Sequence, residues 1–272
     1  MMRITETVKQ LIIVNVLFFI GSYLVGPPAQ DLLALHSFQS DKFQIWQLFT
    51  HMFMHGGIMH ILFNMFALFS FGGLLENMWG AKKLIFFYVS CGIGAALLHL
   101  GITYLEIQHL LGGVADLNLS SDMLNQLLNA TTQDGTHYRP DLFINEIKPI
   151  IEGSGKASLF TEDHLKTLYE AAQLTQVPMV GASGAIYGIL VAFAFIVPNA
   201  ELMLMFIPIP IKAKYFVPGL LVFDLISGLR GQSIFGGASD GVAHFAHLGG
   251  ALIGFIMMWY WKKNSFNQNR WN

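Results

Sequence analysis

Ser183 stands between Gly181 and Gly184 in the run Gly181-Ala182-Ser183-Gly184-Ala185-Ile186-Tyr187-Gly188, at the head of an apolar stretch. A serine hydroxyl is a weak nucleophile until a neighbouring base takes its proton. The flanking glycines permit tight turns and leave room for a substrate backbone. A base is on offer in another apolar stretch, at His247 inside Ala246-His247-Leu248-Gly249-Gly250. An imidazole is the side chain suited to exchanging protons near neutral pH. If the two stretches lie side by side, the pair implies hydrolysis of a peptide bond inside a membrane. The competing reading is packing, because serine is common glue between small-residue helices.

The surrounding residues sharpen the choice. Gly250 and Gly254 form a small-xxx-small pair that should press their stretch against a neighbour. If that neighbour carries Ser183, the histidine meets the serine. Tyr187 falls four residues after Ser183, on the same helix face, where its ring can stack on the imidazole; an ordinary interfacial aromatic is the alternative. His60 and Asn64, at i and i+4, share a face and can donate hydrogen bonds to a developing oxyanion beside the Ser183 amide. One such donor is worth about 2.7–4 kcal/mol in the transition state. His51 and His55 also have i, i+4 spacing, but a zinc protease would place Glu after the first His, and Met52 stands there. No metal is expected, and these two histidines read as loop anchors. His244 reads as a solvated boundary residue. Asp224, inside the fifth apolar stretch, is open as a third catalytic member, but reads rather as lying near a helix end or lining a wet cavity. With no acid obviously placed to orient the base, a Ser183–His247 dyad is expected.

Composition points to the elements that must hold these residues. Of 272 residues, 54% are hydrophobic and 12% charged, against about 25% charged in soluble domains. A net charge of −2 argues against a nucleic-acid partner, and the single cysteine, Cys91, excludes an internal disulfide and reads as packing. Six stretches have spanning length: roughly 8–26, 55–75, 84–105, 179–198, 212–230 and 242–261. The first lacks a small-residue cleavage site and reads as a retained helix. Pro27-Pro28 and Pro198 end the first and fourth stretches, while Pro208 and Pro210 fall in a connection. The expected fold is an all-α, six-span bundle, with spans one to three in 1–105, an insert at 106–178, and spans four to six in 179–272.

The insert differs in kind. It carries ten acidic and four basic residues. Amphipathic patterns run near Asp122–Asn129 and Thr161–Gln173, Ser120 or Ser121 and Thr161 suit N-caps, and Gly153-Ser154-Gly155 marks a turn. It reads as a mostly helical piece outside the bilayer, either a partner or substrate contact or a solvated loop. With the N-terminus in the cytoplasm, that side's short segments hold Arg3, Lys9, Lys82, Lys83, Lys212, Lys214, Lys262, Lys263 and Arg270. The other side holds Lys42 and Arg230. Both termini are then cytoplasmic. Ser183, His247, His55, His60 and Asn64 all fall in the outer half of the bilayer, where buried polar groups mark function by default.

Taken together, these motifs resemble the rhomboid family of intramembrane serine proteases. The matching segments are Gly181-Ala182-Ser183-Gly184 with Tyr187, Ala246-His247-Leu248-Gly249-Gly250, the run from His55 through His60 to Asn64, and Glu76 with Gly80. The resemblance covers about 200 residues, all but the insert. It implies a six-helix bundle and a Ser183 nucleophile with a His247 base. It implies an oxyanion hole of His60, Asn64 and the Ser183 amide, supported by His55, Gly181 and Gly250. Substrates would be single-span membrane proteins cut in or near their spans, without metal or ATP. Short loops and the lack of a targeting sequence fit a bacterial inner membrane. The chain departs from the family in Trp46-Gln47, where Arg often follows Trp, and in its long insert. That first departure puts loop anchoring at the membrane surface in question, not the chemistry. A catalytically dead relative that binds membrane proteins would tend to lack the serine or the histidine, and this chain keeps both. A transporter would show inverted repeats of broken helices, which are not visible.

Overall fold

Glycines and prolines end most of the long helices. The computed structural model describes residues 4–134, 137–204, 207–230 and 241–268. In chain order the helices are α1 (Glu6–Val25), α2 (Pro27–Leu33), α3 (Gln47–Thr50), α4 (Ile58–Ala67), α5 (Gly73–Trp79) and α6 (Ala81–Gly112). They continue with α7 (Ser121–Leu128), α8 (Pro140–Gly153), α9 (Glu162–Gln176), α10 (Ser183–Ile196), α11 (Ala213–Arg230) and α12 (Gly241–Gln268). A π-helical turn, Leu68–Gly72, joins α4 to α5. Gly26 ends α1 with φ +76°, and Pro27 and Pro28 open α2, where their missing N–H groups are no loss. The α1 helix, the α4–α5 run and α6 are each long and apolar enough to cross a membrane, and α10 is a shorter apolar helix. Pro208 and Pro210 lie in a strand, Ile207–Lys212, paired antiparallel with Glu201–Leu204.

The chain forms two compact units. The first holds 1–34, 48–99 and 180–272. It buries Leu75, Leu84, Phe87 and Tyr88, and small residues fill the place where α10 and α12 meet. A Cβ on Gly250 would fall on the Gly184 backbone, one on Gly254 on the Gly188 backbone, and one on Gly188 on Cys91. These contacts bring α10 and α12 to backbone contact, with α6 closing one side through Ala95 and Cys91. The charged residue Glu76, in α5, caps another helix. Its Oε1 and Oε2 accept the Thr7 and Val8 amides of α1 at 2.9 and 3.0 Å. Those first-turn amides have no partner inside their own helix.

The second unit holds 35–47 and 100–179. It has a core of its own, with Leu127, Phe143, Ile147 and Leu168 buried. Ser120 caps α7 by accepting the Met123 amide, and Thr161 caps α9 by accepting the His164 amide in a reciprocal capping box. On the exposed side of this unit, Arg139 donates two hydrogen bonds to Asp141, at 2.8 and 2.6 Å. This pairing holds the Asp141 carboxyl below its ordinary pKa. Residues 35–47 are fastened from within the same unit. Asn129 accepts the Asp41 amide and donates to the Gln39 carbonyl, and Leu35 bridges Met179. Gln47, standing where the family often has Arg, is fully buried. Its Oε1 accepts the His36 and Gln44 amides and its Nε2 donates to the Lys42 carbonyl. Whatever an arginine does elsewhere, this side chain organises its loop by hydrogen bonding.

Candidate active site

Ser183 begins α10 because Gly181 turns the chain just ahead of it. Gly181 has φ +127°, a conformation that a side chain resists. Its amide donates to the His51 carbonyl at 2.9 Å, which ties the turn to the segment preceding α4. A Cβ on Gly181 would also lie 2.7 Å from His60 Nε2 and 3.6 Å from Ser183 Oγ. A glycine at this position therefore lets His60 approach the serine. As the first residue of α10, Ser183 presents its amide at a helix N-terminus, where N–H groups lack intrahelical partners and attract negative charge.

The base arrives from α12. The backbone contact between Gly250 and Gly184 sets the distance between α10 and α12, and His247 sits one helical turn before Gly250. Its Nε2 lies 2.9 Å from Ser183 Oγ. The Tyr187 ring stacks on the imidazole, with centroids 4.3 Å apart and planes 11° from parallel. Ser183 and His247 are both half-buried. A serine hydroxyl within hydrogen-bond distance of an imidazole nitrogen can give up its proton there when that nitrogen is bare.

The α4 residues lie on the other side of the serine. His60 is half-buried and accepts the Gly56 amide at its Nδ1 at 3.4 Å, leaving Nε2 toward Gly181. His55 packs edge-on against His60 at 5.1 Å and is bonded through Nδ1 to the Phe53 carbonyl. Asn64 is buried, and its Nδ2 donates to the His60 carbonyl at 3.0 Å, leaving the second amide proton for another acceptor.

Two residues differ from their sequence reading. Asp224, expected near a helix end or in a wet cavity, is fully buried in α11. Its Oδ1 lies 2.5 Å from His244 Nδ1 and 3.4 Å from His247 Nδ1. His244, expected at a solvated boundary, is buried against it. The hydropathy of a stretch says how deep a residue lies but not which helix it faces. Here Asp224 and His244 face each other and away from solvent. The one available signal was an acid inside an apolar run, which by itself marks function. The donor atoms of Asp224, His244 and His247 lie within 4.8 Å of one another, a set that could also chelate a cation.

Comparison with known proteins identifies a family. The Rhomboid domain model matches residues 42–115 and 155–264, which include Ser183, His247, His60 and Asn64. The chain is 38% identical over 78 residues to Rhomboid protease GlpG of Salmonella choleraesuis, covering 28% of this chain and 28% of that protein. It is 40% identical over 73 residues to the protein of the same name in Salmonella newport, covering 26% of each. These alignments thus span little more than a quarter of the relatives' length.

Proposed function

The chain belongs to the Rhomboid family, and on that premise we propose that it is an intramembrane serine endopeptidase. The observation that carries this reading is the 2.9 Å approach of His247 Nε2 to Ser183 Oγ under a stacked tyrosine. Ser183 Oγ attacks the scissile carbonyl while His247 Nε2 takes its proton. The carbonyl oxygen, now carrying negative charge, is met by donors from His60 Nε2, Asn64 Nδ2 and the Ser183 amide. Collapse of this intermediate passes the proton from His247 to the leaving amine and leaves an ester on Ser183. A water, activated by the same imidazole, hydrolyses that ester. No step of this cycle calls for a metal or ATP.

The same reading places α1, α4–α5, α6, α10, α11 and α12 as six spans, with both termini in the cytoplasm and 106–178 outside the bilayer. A bacterial inner membrane suits this arrangement. Substrates are single-span membrane proteins cut in or near their spans. A substrate helix hides its carbonyls in its own hydrogen bonds, so small, helix-breaking residues near its membrane boundary favour cleavage. The insert at 106–178 offers a surface for a substrate or partner. The test is cleavage of a single-span substrate by purified protein in detergent with a chelator present. Chelator-resistant cleavage that disappears in Ser183→Ala supports the reading. Cleavage at the wild-type rate in folded Ser183→Ala overturns it.

A further inference from the structure

A carboxylate in an apolar helix is expensive, and membrane proteins keep one where it has work to do. In α11, Phe223, Leu225 and Ile226 are exposed apolar side chains, whereas Asp224 between them is fully buried. Its second oxygen, Oδ2, has no close hydrogen-bond partner among the described residues, while the Tyr187 hydroxyl acts on the carboxylate both electrostatically and as a hydrogen-bond donor. Two histidines of α12 hold the group through Oδ1.

A neutral imidazole has one N–H and one lone pair, and an ionised carboxylate can only accept hydrogen bonds. The His247 nitrogen that faces Asp224 Oδ1 must then carry the proton, and that nitrogen is Nδ1. This leaves Nε2 bare, 2.9 Å from the serine hydroxyl whose proton it has to take. The wrong tautomer would point an N–H at the serine and could accept nothing. His244 holds the same oxygen at 2.5 Å, with its ring nearly perpendicular to that of His247. It fixes the carboxylate one turn back along α12.

We propose that Asp224 is a positioning residue that holds His247 in the Nδ1–H tautomer, with His244 as its brace. The Ser183–His247 pair still carries the chemistry, and a carboxylate orients its base. This rests on the reading of His247 as the base. The 3.4 Å bond is long, so Asp224 contributes less than the aspartate of a soluble serine protease.

The test compares wild type, Asp224→Asn and Asp224→Glu in the detergent assay with chelator, alongside histidine 15N NMR of the wild type. Asparagine presents an N–H or a weaker acceptor to His247 and favours the wrong tautomer. It should lower kcat by about 10-fold to 100-fold, short of the ~10⁴ lost when a soluble triad's aspartate is so changed. KM should stay within about twofold, since a positioning residue acts in the transition state. Asp224→Glu should recover part of the rate. The wild-type spectrum should show His247 protonated at Nδ1 and bare at Nε2. A folded Asp224→Asn protein with wild-type kcat would overturn the inference, and so would an Nε2–H tautomer in wild type. The spectrum needs no variant to fold. Failure of the protease reading looks different, because wild type would then cleave no better than Ser183→Ala.

Discussion

The two units of this molecule both bury large apolar side chains but differ in what they expose and in which polar groups they enclose. In the unit around 100–179, Leu127, Phe143 and Leu168 are inside, while Glu162, Asp163, Lys166 and Glu170 are exposed. In the unit holding α10 and α12, Asp224, His244 and Asn64 are inside, while Leu17, Leu24, Phe86 and Leu229 are 62, 78, 62 and 72% exposed. The first pattern is that of a water-soluble core. The second fits a lipid surround, which neither rewards the burial of leucine nor satisfies a polar group. The difference teaches where each unit draws its cohesion. One packs large apolar side chains and closes its helix ends with Ser120 and Thr161. The other also buries Phe87, Tyr88 and Leu75, and adds glycine backbone packed on glycine backbone and polar side chains paired with each other.

Five substitutions, in four experiments, would break or sharpen this contrast. The largest effect is expected at the catalytic pair. His247→Ala should cut cleavage by more than about 10³-fold, and adding Ser183→Ala should lower it no further, because residues acting as one unit are not additive. Steady-state rates of the two single variants and the double variant check this. Next, Phe143→Ala should destabilise the 100–179 unit by about 3–5 kcal/mol as a buried aromatic is lost. Limited proteolysis mapped to 106–178 reads that loss. Gly250→Ala puts a methyl group onto the Gly184 backbone, which should destabilise by about 1–3 kcal/mol. It should also slow cleavage, because the same contact sets the Ser183–His247 distance. Thermal denaturation in detergent together with kcat separates the two consequences. Smallest of all, Ser120→Ala removes the α7 cap at about 1 kcal/mol, seen as faster amide exchange at Asp122 and Met123.

Much of the site can be read from the sequence because it follows local periodicity. Tyr187 lies four residues after Ser183 on one helix face, and Gly250 and Gly254 repeat every fourth residue. Both patterns predict contacts that the structure contains, including the stacked ring. Ser120 and Thr161 announce helix starts by residue type alone. The sequence leaves Asp224 open as a third catalytic member, but its partners escape because they lie on another helix, 20 and 23 residues away. No periodicity within α11 points to them. His244 is hidden too, since a histidine near a boundary reads as solvated unless its partner is known. The α8 helix carries Pro149 in its interior, where a proline interrupts the pattern that would announce a helix. The π-helical turn at Leu68–Gly72 has no signature in an uninterrupted apolar run.

The claim that joins these observations is that Ser183 is a nucleophile activated by His247. A fluorophosphonate reacts with such a serine and ignores an inert one, so mass spectrometry of the labelled, purified protein is the direct measurement. The account predicts one adduct, on Ser183, that is absent in folded His247→Ala. Folded wild-type protein that stays unlabelled, or an adduct on Ser183 that persists in His247→Ala at the same rate, would contradict it.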